Sequence, residues 1–189
     1  MYRMIKFTEC LNDTWDYFFL TDPANLLQFK KEHNLSDDLM GEFTTNDSAE
    51  LAIQEGIMIP MSNIKNQPYT VFFNTNGQTS IFKKDTNLLL FEKTGYILNV
   101  INNEVCLITV PYLKNWTENN GIYRLKEAVK AGVRQKITLE NGYYAITILG
   151  GFTYQDNIEE ATFEFQCKQV LTVETKSSVL DIGFPFLIE

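Results

Sequence analysis

From about Glu50 onward the chain is written in short runs of aromatic and β-branched residues, punctuated by Asn-Gly, Thr-Gly and Asn-Asn pairs. That punctuation confines it to a mainly β fold, because such runs suit a pleated surface and such pairs tolerate the positive φ of tight turns. In 161–170, Phe163, Phe165 and Cys167 alternate with Glu164, Gln166 and Lys168. Period-two alternation predicts one buried and one wet face. Asn76-Gly77 is expected to join 69–73 to 79–83 as a hairpin, and Asn141-Gly142 to join 133–139 to 143–149. A meander is expected through 88–92, 96–101 and 104–110, with turns at Thr94-Gly95 and Asn102-Asn103. Leu51, Ile53, Ile57 and Ile59 read as a further strand. Gly150-Gly151 reads as a strand end opening a loop to Asn157, and the apolar segment 179–188 as a docked final strand.

Asp22 before Pro23 is an N-cap followed by proline at the first helical position, so a helix should run to about His33 with Leu26, Leu27 and Phe29 inward. Residues 34–46 and 111–121 read as loops, and 122–130 fits a helix ending at Gly132 or a strand. The fold class is therefore mainly β, with minor α: an antiparallel sandwich-like or strongly bent sheet with one short helix near the amino end. At 189 residues the expectation is one domain, 1–189, with 1–115 and 116–189 as its halves if it divides. Gly56, Ile64, Asn66, Tyr69, Val71 and Phe73 echo Gly132, Leu139, Asn141, Tyr144, Ile146 and Ile148. The echo reads either as two similar β-units or as the general likeness of two hairpins, and both stay open.

The residues that carry chemistry are sparse. Three cysteines, Cys10, Cys106 and Cys167, lie far apart with no Cys-x-x-Cys pair, and read as reduced, mostly buried thiols. Glu9, Asp13 and Asp16 interrupt the first twenty residues, so neither an export signal nor a membrane span is expected, and the location is expected to be cytoplasmic. Four Asn-x-Ser/Thr sites are discounted on that ground. Dinucleotide, phosphate-loop and nucleophile-elbow motifs are not present in the sequence. No catalytic residue, metal ligand or cofactor is assigned. An enzyme built on Cys10 with His33, or on scattered carboxylates, is the alternative reading, and an assembly subunit joined through free strand edges is a third. Arg124, Lys126, Lys130, Arg134 and Lys136 form the one basic group, diluted by Glu127, and read as a wet face rather than a nucleic-acid site.

Charge is distributed unevenly. Residues 1–60 hold eleven Asp and Glu against four Lys and Arg, a net of −7, while the remaining residues contribute −1. Such a field repels phosphates and anionic membrane and either serves solubility alone or favours a basic protein partner, with Asp37, Asp38, Glu42, Asp47, Glu50 and Glu55 as the expected contact residues. The phrase Ile-Thr-Leu-Glu-Asn-Gly-Tyr-Tyr-Ala-Ile-Thr-Ile at 137–148, with the length and the acidity, resembles small acidic β-rich bacterial immunity proteins of toxin systems. The resemblance implies a non-enzymatic inhibitor that covers a toxin's active site, and it carries over no site residue. Oligomeric state is left open.

Overall fold

The computed structural model describes residues 4–171, 176–177 and 184–189. Its strands are β1 (Ile5–Glu9), β2 (Phe18–Thr21), β3 (Met58–Met61), β4 (Tyr69–Asn74), β5 (Leu88–Val100), β6 (Val105–Thr109), β7 (Lys136–Ile137), β8 (Gly142–Gln155) and β9 (Ile158–Val170). Its helices are α1 (Pro23–Glu32), α2 (Leu39–Thr45), α3 (Ser48–Gln54), α4 (Val110–Leu113) and α5 (Gly121–Lys130). The strands form a five-stranded sheet ordered β1-β4-β9-β8-β5 and a four-stranded sheet ordered β3-β2-β6-β7. Pairing is antiparallel except between β4 and β9, which run parallel. The mainly β, sandwich-like expectation is met.

The smaller sheet is buried on both faces, and its side chains divide accordingly. Phe18 and Leu20 of β2, with Val105 and Leu107 of β6, join Tyr69, Tyr96, Ile146 and Phe163 of the larger sheet in one apolar core. Their neighbours Phe19, Cys106 and Ile108 point the other way, into a second core closed by Leu26, Phe29, Phe43, Ile53 and Leu125 from the helices. The molecule is thus layered sheet, sheet, helices, and each buried Leu or Phe contributes roughly 1.5–3 kcal/mol.

Asp22 fixes the helical layer to the sheets. It is fully buried; one carboxylate oxygen accepts from the Ala24 and Asn25 amides at the start of α1, and the other accepts from the Ile101 and Asn102 amides, both at 2.8 Å. The predicted cap is correct, and it also secures the turn after β5.

Several local expectations are overturned. Residues 39–45 and 48–54 are helical, not loop and strand, because the inward positions of α3 are Ala49, Ala52 and Ile53, the i, i+3, i+4 spacing of a helix face. Residues 110–113 are helical rather than loop, and 122–130 resolves to helix. Neither predicted Asn-Gly hairpin forms: β4 pairs with β1 and β9, and β7 and β8 belong to different sheets. Thr94-Gly95 is a register shift inside continuous β5, and Gly150-Gly151 lies within β8. Those glycines are required by close approach, since a Cβ on Gly151 would lie 2.0 Å from the Leu88 carbonyl oxygen and one on Gly150 2.1 Å from the Phe91 ring. The docked-tail expectation is met in part at Pro185, bridged to Ser62, and Phe186, whose amide donates to the Ser62 carbonyl; residues 178–183 lie outside the described residues.

Glu164 departs from its predicted wet face, being fully buried. Residues 75–87 fold over that face, with Phe82 inward, and Glu164 accepts from Ser80 Oγ at 2.6 Å, the Ile81 amide at 2.9 Å and Asn74 Nδ2 at 3.2 Å. Glu164→Gln should cost about 2 kcal/mol, because an amide presents a donor where donors already point. Amide hydrogen exchange should localise the change to 78–84; protection there equal to the parent would refute the anchoring role.

Candidate functional site

The expected contact residues fall on α2, α3 and the turns that lead into them. From Glu32 through Ile64, both included, the chain carries seven carboxylates and no lysine or arginine. Local folding explains part of this: Asp38 caps α2 by accepting from the Gly41 amide at 2.9 Å, and Glu42 accepts from the Ser36 amide and from Asn46 Nδ2. The Ser36 bond, then that from Asn46, holds the Glu42 carboxyl below its usual range. Asp47 precedes α3 but makes no capping bond; Asn46 accepts from the Ser48 amide instead, which leaves the Asp47 carboxylate exposed.

Asp37 is ion-paired with Lys30, which removes one charge from the set. Among the described residues, no such pair involves Asp38, Glu42, Asp47, Glu50 or Glu55. Asp47 and Glu50 line one shallow depression of about 480 Å³ with His33, Leu35 and Gln54. Glu42 joins them through Asn46, which also lines it. Glu55 stands at the carboxyl end of α3, half-exposed, and Asp37 and Asp38 at the turn into α2.

The residues of the alternative enzymatic reading have separate partners. Cys10 Sγ donates to Asn66 Oδ1 at 3.3 Å, whereas the His33 ring packs 4.4 Å from that of Phe29. Burial pushes the Cys106 and Cys167 thiols up to about 12, so both stay protonated at neutral pH and are poor nucleophiles. Among the described residues no cluster of three or more His, Cys, Asp or Glu could hold a metal, and no helix is long and apolar enough to cross a membrane.

The basic group divides. Arg124, Lys126, Lys130 and Lys136 are exposed as expected, but Arg134 is buried and ion-paired with Glu9. Its guanidinium also donates to the carbonyls of Cys10 at 2.8 Å and Leu11 at 3.2 Å. Arg134 is therefore a structural clamp.

No family model matches the chain, and no curated protein gives a significant match. Among solved structures it aligns with ComJ of Bacillus subtilis, described as an inhibitor of the DNA degrading activity of NucA, at a TM-score of 0.45 and 11% identity, over 89% of this chain and 96% of that one. It also aligns with Crocagin biosynthetic gene J at a TM-score of 0.38 and 10% identity, over 88% and 96% of the respective chains. At these scores neither likeness assigns an activity to this chain.

Proposed function

We propose that this protein is a non-enzymatic binding protein of immunity type, whose acidic helical end seats on a basic face of a protein partner such as a toxin. The observation that carries the reading is the 32–64 stretch: seven carboxylates, no Lys or Arg and, among the described residues, a single ion pair, to a neighbouring lysine. An uncompensated field of this kind accelerates encounter with an oppositely charged protein and disfavours nucleic acid and anionic membrane. Cys10 and His33, the pair an enzymatic site would use, are held by different partners, Asn66 and Phe29, which supports binding over covalent chemistry.

The partner to test is a basic protein encoded by a neighbouring reading frame. Asp47→Lys with Glu50→Lys is the informative variant, because neither side chain caps a helix. At low salt its association rate constant should fall at least about tenfold while dissociation changes little, and the dependence on ionic strength should flatten. Stopped-flow mixing reads both; an unchanged rate constant in a folded variant removes this surface from the interface.

A further inference from the structure

The depression that Asp47 and Glu50 line, about 480 Å³, is wider than a lone ammonium group needs, and it is not wholly polar. Leu35 and Leu51 line it half-buried, and the exposed His33 ring, 4.4 Å from the ring of Phe29, stands in its wall. A side chain that suits it combines an apolar stem, a flat head and a positive charge. Arginine has all three: its methylenes pack along apolar surface, and its guanidinium stacks on rings and turns a planar fork of N–H donors onto carboxylates.

Ser48 supplies an independent sign that this place takes a donor from outside the chain. It lines the same depression, lies between Asp47 and Glu50 in sequence, and is 8% exposed. Its amide donates to Asn46 Oδ1, yet its buried hydroxyl has no hydrogen-bond partner among the described residues. An orphaned buried hydroxyl is uncommon in a folded chain and needs a reason. Because this one has no bond to give up, turning to another staggered χ1 to meet an occupant costs little. The chain's own neighbouring cations are committed elsewhere: Lys30 and Lys31, in the last turn of α1, are paired with Asp37 and Glu118.

We propose that this depression seats one arginine side chain of the basic partner, its guanidinium between Asp47 and Glu50 and accepted also by Ser48 Oγ. The inference rests on the reading given above and specifies the partner's anchoring group. The probes are three pentapeptides, Lys-Lys-Arg-Lys-Lys, Lys-Lys-Lys-Lys-Lys and Lys-Lys-citrulline-Lys-Lys, the last keeping the shape of arginine without its charge. They are titrated into the full chain, followed at backbone amides, leucine methyls and the ring of its one histidine. Leu20 and Leu107, buried in the core between the sheets, serve as controls.

The arginine peptide is expected to shift the His33 ring and the Leu35 and Leu51 methyls, leave Leu20 and Leu107 unmoved, and bind about fivefold tighter than pentalysine. Pentalysine and the citrulline peptide should move the amides of 38–50 without the ring or those methyls. Ser48→Ala should weaken the arginine peptide about threefold and leave pentalysine unchanged; no loss, or an equal loss for both peptides, would overturn the hydroxyl's part in the seat. If all three peptides move the amides while the ring and the methyls stay still, the seat is refuted and the acidic surface stands. Ring and methyl shifts as large with citrulline or pentalysine as with arginine would refute the guanidinium as occupant. Amides unmoved by any peptide would count against the surface and the seat together.

Discussion

Arg134→Met is expected to lower stability by about 3–5 kcal/mol at neutral pH, a fall in Tm on the order of 10 °C. Side-chain exposure of the pair is 5% for Arg134 and 2% for Glu9, so solvent screening offers little relief. Removing the guanidinium strands a buried carboxylate and frees the Cys10 and Leu11 carbonyls. The loss should also depend on pH. Burial raises the Glu9 carboxyl above its ordinary 4.5 even against the opposing pull of Arg134. A carboxyl raised in the folded state contributes stability that is fully present below 4.5 and is lost as pH rises through the folded value. Without the arginine that value climbs further, so the deficit relative to the parent should be larger at pH 7 than at pH 5. Denaturant titrations at both values decide the matter: equal deficits would show that Glu9 does not carry the charge ascribed to it.

Asp22→Ala should cost about 3 kcal/mol, because one buried carboxylate serves two chain segments. About 1 kcal/mol belongs to the lost cap of α1. The rest comes from the Ile101 and Asn102 amides, left without their acceptor. Asp22→Ser separates the two, since serine can still cap but is too short to reach the turn after β5. It should recover about 1 kcal/mol, and hydrogen exchange at Ile101 and Asn102 should remain fast. Full recovery by serine would mean that the turn draws nothing from Asp22.

Both positions mark how far the residue pattern reaches. Asp22-Pro23 announces a helix start through local chemistry, and the structure places α1 there. Residues 161–170 announce a strand by alternation, yet alternation says which face a residue lies on and not what covers it. Glu164 is buried because residues 75–87 cross that face. Arg134 sits among basic neighbours in sequence, while its partner Glu9 lies 125 positions away. Turn chemistry misled in one direction: Asn141-Gly142 leads from one sheet to the other, whereas the tight turn joining β8 to β9 is Asp156-Asn157, with φ of 50° and 68°. Two consecutive positive φ values make the hairpin, and Asp-Asn supplies them as Asn-Gly would. The carboxylates of the candidate surface were legible one by one. The depression they share was not, because Asp47 and Glu50 meet His33 and Leu35 only in the folded chain.

The order β1-β4-β9-β8-β5 places the last described strand at the middle of the larger sheet. β4 must therefore wait for its parallel neighbour through a separation of about ninety residues, Thr70 against Thr162 and Phe73 against Phe165. On the ribosome, β1 and β4 emerge early with an open edge that nothing synthesised in the interval can close. Assembly is bound to be late and slow, because the centre of the sheet arrives after its rim. Nascent chains halted before Ile158 would carry an unmatched aromatic edge, Tyr69 to Phe73, that invites association with other chains. Stretches of slow translation upstream of that point should thus favour aggregation, and swift completion should favour the native sheet.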